Sequence, residues 1–187
     1  MSFLPLVLGG PLFLFPVHVV FLEFVIDPAC TLVYEAERTE AGAMERPPRD
    51  AQEPLFSLPM LATSLALGLT MLVAVFAAYW WALDSGRSEA AARTIAFAAI
   101  VLSNLALLFA TRSRNRSLFG MLRERNLALW GIALGVMAAL AAVIYVPAAA
   151  AIFRFAPLGG AELAAAAGAG VAGIAWYEVL KLTRGVR

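Results

Sequence analysis

The sequence predicts an all-α fold, a polytopic membrane helix bundle of about five full spans plus a short N-terminal half-helix. Composition is the first observation behind it. Of 187 residues, 62% are hydrophobic and only 14% charged, with a mean hydropathy of +0.82. An ordinary soluble domain is roughly 45–50% apolar and about 25% charged. Second, four runs carry no Asp, Glu, Lys or Arg: 1–22, 55–83, 94–111 and 126–153. Each is near or above the ~20 residues that a helix needs to cross a ~30 Å hydrocarbon core. Third, these runs do not alternate apolar and polar residues, which excludes barrel strands and leaves helices as the spanning structure. A water-soluble globule, a disordered chain and a nucleic-acid module are excluded with them. The single cysteine, Cys30, rules out an intramolecular disulfide and a thiolate-rich metal site.

The elements follow in order. Pro5, Pro11 and Pro16, with Gly9–Gly10 between them, divide the first run. Residues 1–8 read as the end of a membrane helix, which at ~12 Å cannot cross a bilayer alone. The chain therefore reads as beginning inside a helix. Residues 16–34 form a second helix, broken near Pro28. Residues 35–54 are a mixed-charge, proline-containing cytoplasmic loop. Residues 55–83, 94–111, 126–153 and 160–181 are the remaining membrane helices. The last has an apolar centre flanked by Glu162 and Glu178.

Lysine and arginine set the orientation. Eleven lie in the loop after the 16–34 helix, in the loop after the 94–111 helix and in the C-terminal tail, against three (Arg87, Arg93 and Arg154) on the other face. The positive-inside rule puts the C-terminus in the cytoplasm, and the expected location of this multi-pass chain is the plasma (inner) membrane. The missing basic n-region, and the acidic residues where a cleavage site would fall, argue against a signal peptide.

The segment that carries chemistry is Phe21-Leu22-Glu23-Phe24-Val25-Ile26-Asp27-Pro28. Glu23 and Asp27, four apart, lie on one face of a helix. Inside an apolar span each ionised carboxylate costs about 2.5–3.5 kcal/mol even on a lenient insertion scale. Pro28 has no N–H for the Phe24 carbonyl, so the helix is expected to open and offer bare carbonyl oxygens beside two carboxylates. Calcium and other hard cations take several such oxygens at once. Alternatively, Glu23 snorkels to the interface and Asp27-Pro28 only kinks the helix.

This segment and its surroundings resemble the C-terminal membrane region of cation-transporting, calcium-pump-like P-type ATPases. Residues 16–27, PVHVVFLEFVID, look like the sixth membrane helix of that family. Arg46-Pro47-Pro48-Arg49 with Pro54-Leu55-Phe56 is similar to the loop between its sixth and seventh helices. Ala92-Arg93-Thr94-Ile95-Ala96-Phe97 and Asn115-Arg116-Ser117-Leu118 resemble the two ends of its eighth. Phe153-Arg154-Phe155-Ala156-Pro157-Leu158 and Glu178-Val179-Leu180-Lys181-Leu182 resemble the loop before its tenth helix and that helix's end.

The resemblance implies that Glu23 and Asp27 ligate a transported cation, calcium being one candidate. It also places Asn104 at a ligand position, where an interhelical hydrogen bond is the equal alternative. Calcium pumps commonly have asparagine at Glu23, threonine at Ile26 and glycine at Pro28. The chain holds neither the phosphorylation motif Asp-Lys-Thr-Gly-Thr nor a Thr-Gly-Glu loop, and no nucleotide domain. It should therefore hydrolyse no ATP alone. Its expected partners are membrane lipid and the missing N-terminal part of a P-type ATPase, or another pump chain, and not nucleic acid. The alternative function is a non-enzymatic membrane protein that binds or regulates a full-length pump.

Other features have blander readings. His18 reads as a lone interfacial histidine, with a proton relay as the alternative. Cys30 reads as a packing residue, and Gly168, Gly170 and Gly173 as sites of close helix approach. Arg112–Arg125 reads as a topology determinant or an anionic-lipid contact. The sequon at Asn115 falls on the cytoplasmic side and reads as empty.

Overall fold

A computed structural model describes residues 13–35, 57–111 and 127–184. The half-helix expected at 1–8, most of the 35–54 loop, the arginine-rich stretch and the Asn115 sequon lie outside the described residues.

The described chain is a bundle of helices with no strands. α1 is Pro16–Glu35, α2 Leu58–Asp84, α3 Glu89–Thr111, α4 Leu127–Tyr145, α5 Pro147–Phe153 and α6 Gly160–Arg184. α1, α2, α3 and α6 are each long and apolar enough to cross a bilayer, and α4 with α5 makes a bent fifth candidate.

That bend corrects the single helix expected over 126–153. The axes of α4 and α5 turn by 84° at Val146-Pro147. Pro147 has no N–H, and its ring would strike the Val143 carbonyl in a continuous helix. Val146 accordingly takes an extended conformation, and the proline becomes the first residue of α5. Arg154 then ends α5 in the left-handed region, at φ 53°, while the Phe155 amide bonds back to the Ala150 carbonyl at 2.9 Å.

The 16–34 helix also departs from expectation. It does not unwind at Pro28. The chain stays helical, and Leu22–Ile26 form a π-helical turn in which the Asp27 N–H reaches the Leu22 carbonyl, five residues back. Widening the turn changes which residues share a face. Phe21 and Ile26, five apart, both point into the bundle, and the inward stripe continues through Ala29, Cys30 and Val33.

The centre of the bundle is α3, packed chiefly between α6 and α2, with α1 and α4 on its remaining side. Almost every residue from Ala91 to Val101 is buried. Five alanines in that stretch let neighbouring backbones come close, the usual basis of helix association where lipid is as apolar as the side chains. A Cβ on Gly173 would meet the Met71 Cα at 3.1 Å, and one on Gly170 would meet the Ser103 nitrogen at 3.1 Å.

The approach at Gly173 brings polar groups together. The Thr70 hydroxyl donates to the Gly173 carbonyl at 2.7 Å, and the Trp176 indole N–H donates to that hydroxyl at 3.0 Å. At the ends of α3, the Lys181 ammonium donates to the Ala110 carbonyl and pairs with Glu178 at 2.7 Å. This buried lysine thus satisfies a carbonyl in the last turn of α3, where positive charge also suits the helix dipole. Tyr34 meets Thr111 at 2.8 Å and holds the end of α1 to the same corner.

Gly173→Leu is expected to lower the thermal stability of the lipid-embedded chain by about 1–3 kcal/mol through overpacking against the Met71 backbone. Gly168→Leu, where a Cβ meets nothing within 4 Å, should leave it unchanged. Tryptophan fluorescence melts of the two variants check the contrast.

Candidate functional site

The two carboxylates of α1 face away from the rest of the described chain. Glu23 and Asp27 are both exposed, and they share a stripe with Val20, Phe24 and Thr31, of which Phe24 is 78% exposed. The π turn and the apolar inner stripe place them there, since burying Phe21, Ile26 and Val33 leaves positions 23 and 27 on the opposite side. Neither side chain hydrogen bonds or ion-pairs with another described residue. The π turn therefore presents two adjacent carboxylates, about one turn apart, on a largely apolar surface.

Asn104 lies elsewhere. It sits on α3 at a small apolar crevice with Ile26, Ala29, Cys30, Leu105 and Val136, and so faces the inner side of α1. Its amide donates to the Ile100 carbonyl of its own helix at 3.1 Å. The structure brings Asn104 against the carboxylate helix but not into one cluster with Glu23 and Asp27. Among the described residues no three His, Cys, Asp or Glu side chains converge in a way that could hold a metal ion. The described residues bring two carboxylates and a nearby amide to this helix, fewer oxygens than the six to eight that calcium takes.

Two acidic residues of α6 do structural work. Glu162 is buried at the start of α6, where it accepts the Gly159 N–H at 2.6 Å and pairs with Arg87. That ties α6 to the α2–α3 turn. Glu178 is occupied by Lys181. Glu23 and Asp27 are thus set apart from these two by having no such role within the described chain.

Sequence reasoning missed a second polar centre. His18 is fully buried, with its ring stacked on Phe155 at 4.9 Å between centroids and 14° between planes. Its Nδ1 accepts the Phe15 N–H at 3.1 Å and its Nε2–H donates to the Phe153 carbonyl at 2.8 Å. The guanidinium carbons of Arg93 and Arg154 stand 4.7 and 4.9 Å from the centroid of the Phe15 ring. The only sequence signal was the aromatic spacing, Phe15 three before His18 and the Phe-Arg-Phe of 153–155.

Comparison with known proteins places this geometry in context. A family described as "Cation transporting ATPase, C-terminus" matches residues 11–183. The chain is 32% identical over 155 residues to proteins of Mycobacterium bovis and Mycobacterium tuberculosis named "Probable cation-transporting ATPase F". It is 30% identical over 153 residues to a Bacillus subtilis protein named "Calcium-transporting ATPase". In each case 80% of this chain is covered, and the match spans 17% of the relative's length.

Substituting the acidic residues separates the two classes. Glu162→Ala should lower thermal stability by about 1–3 kcal/mol, because a buried amide and an ion pair lose their acceptor. Glu23→Gln and Asp27→Asn should leave the melt unchanged or raise it. A drop in their melting temperatures comparable to that of Glu162→Ala would mean that the carboxylates are held within this chain.

Proposed function

This chain belongs to the C-terminal family of cation-transporting ATPases, and on that premise we propose that it supplies part of a transmembrane cation site, for calcium or another hard cation. Glu23 and Asp27 are its carboxylate ligands, and Asn104, behind α1 in this structure, adds an amide oxygen from the neighbouring helix when α1 turns about its axis. The remaining ligands come from the N-terminal membrane helices of a P-type ATPase, which cover the exposed face of α1. The observation that carries this proposal is the outward pair of carboxylates on an apolar helix at a π turn, with no partner among the described residues.

The chemistry follows from the surroundings. In a low-dielectric span, two carboxylates one turn apart repel each other when both are ionised, and a divalent cation between them removes that repulsion. Hard oxygen donors favour calcium-like ions over softer metals. π turns recur at functional sites because the widened backbone re-aims side chains without ending the helix. Two oxygens from one helix and one from its neighbour leave the coordination number to be completed by a partner. ATP hydrolysis and phosphorylation belong to that partner in this proposal, and the C-terminus faces the cytoplasm of the plasma (inner) membrane.

The test is reconstitution. Co-expressed with the N-terminal part of a related pump, the chain should support ATP-driven calcium uptake into inverted membrane vesicles. Glu23→Gln or Asp27→Asn should reduce uptake at least about tenfold, the loss of a charge-assisted ligand being worth 1.4 kcal/mol or more. Asn104→Ala should raise the calcium concentration needed for half-maximal uptake. Uptake unaffected by Glu23→Gln and Asp27→Asn would overturn the proposal and favour a protein that docks on and regulates a complete pump.

A further inference from the structure

We propose that His18 is the positioning residue of the site helix, a clasp that holds the start of α1 against the α5 corner and does so only as a neutral imidazole with its proton on Nε2. This rests on the cation-site proposal for its functional consequence, and on geometry alone for the clasp.

Both ring nitrogens are committed, and in opposite senses. A carbonyl oxygen can only accept, so the 2.8 Å contact to Phe153 requires a proton on Nε2. A backbone N–H can only donate, so the 3.1 Å contact from Phe15 requires a bare Nδ1. The second contact closes a cap. Phe15 precedes the first residue of α1, His18 is the third residue of that helix, and the His18 N–H returns to the Phe15 carbonyl at 2.9 Å. A side chain at the third helical position reaching back to the cap amide is the geometry of a capping box, with imidazole replacing the usual Glu or Gln. Here the same ring also reaches a residue 135 positions away, so one side chain starts α1 and fixes it to α5.

The walls make the arrangement unforgiving. Phe97, Phe153 and Phe155 surround the ring with centroids 4.9–5.7 Å away, and no solvent reaches it. Charged groups face it from two sides. Arg93 on α3, with Glu89 and Tyr79 beside it, and Arg154 at the corner approach through the Phe15 ring they flank. An imidazolium here would place an N–H against the Phe15 N–H, beside two guanidinium groups. Glu23 begins five residues further along, within the π turn, so the clasp sets the height and rotation at which α1 enters that turn.

The chain contains one histidine, which makes the test specific. The full-length chain is labelled with 15N-histidine in lipid nanodiscs and its ring nitrogens recorded near pH 7, above the ordinary imidazole value of about 6.5. Amide exchange is followed in peptides covering residues 13–21. The nitrogen pair should show Nε2 protonated and Nδ1 bare. His18→Gln, which keeps a donor and an acceptor, should retain the protection of that segment. His18→Phe, which keeps only the ring, should speed its exchange about tenfold or more.

A proton on Nδ1, or His18→Phe exchanging like the unsubstituted chain, overturns the proposal. Should His18→Phe fail to fold, the nitrogen signature and the Gln variant still decide it. In the reconstituted pump His18→Phe should lower uptake and His18→Gln preserve it. If no combination transports cations, the cation-site proposal fails while the nitrogen and exchange results still settle the clasp.

Discussion

An ionised carboxylate in hydrocarbon has to be met by something, and the architecture of this chain is arranged around two that its described residues do not meet. The acidic side chains at the ends of α6 are neutralised locally: Glu162 by Arg87 and a backbone amide, Glu178 by Lys181. Glu23 and Asp27 have no such partner among the described residues and stand on an apolar surface. An ionised carboxylate in a span costs about 2.5–3.5 kcal/mol on the insertion scale, a cost that the proposed cation and partner helices would offset.

The rest of the bundle serves as a rigid backing for that face. α3 is buried on nearly all sides, and its alanines, with Gly170 and Gly173 of α6, let the neighbouring backbones come together. Polar contacts then fix its two ends. Lys181 and Tyr34 close one end on the Ala110 carbonyl and Thr111. At the other, the Thr94 hydroxyl accepts the Ala156 N–H at 3.0 Å and the Arg93 guanidinium donates to the Arg154 carbonyl at 3.2 Å. α1 is held at both of these ends, by His18 and by Tyr34, with the π turn between them.

Much of the fold is legible in the sequence, because lipid imposes a one-dimensional rule: long uncharged runs become helices. The family is legible for a different reason, the order of several short motifs along the chain. What sequence does not convey is how local defects resolve. Pro28 and Pro147 look alike as helix breakers, yet one leaves a continuous helix with a widened turn and the other bends the chain by 84°. The difference lies in tertiary packing. Around Pro28, Ile26, Cys30 and Val33 are packed against α3 and α4 and keep the axis straight. After Pro147, α5 folds back to meet His18. The candidate site is half legible: helical spacing puts Glu23 and Asp27 on one face, but only the packed structure says that the face points outward and that Asn104 lies behind it. His18 is misjudged as a lone interfacial residue because its partners are two backbone groups and the rings of Phe97, Phe153 and Phe155, and aromatic spacing alone does not say that these distant segments meet.

Under the proposed function, the acidic face of α1 is the surface on which the remainder of a pump is built. A photo-crosslinking amino acid at position 24, between the two carboxylates on that face, tests it directly in cells that also make the N-terminal part of a related pump. A covalent adduct joining the two polypeptides, lost when the crosslinker is moved to the exposed Leu65 of α2, is the expected result. Adducts with lipid alone, or with helices of this same chain, would contradict the account.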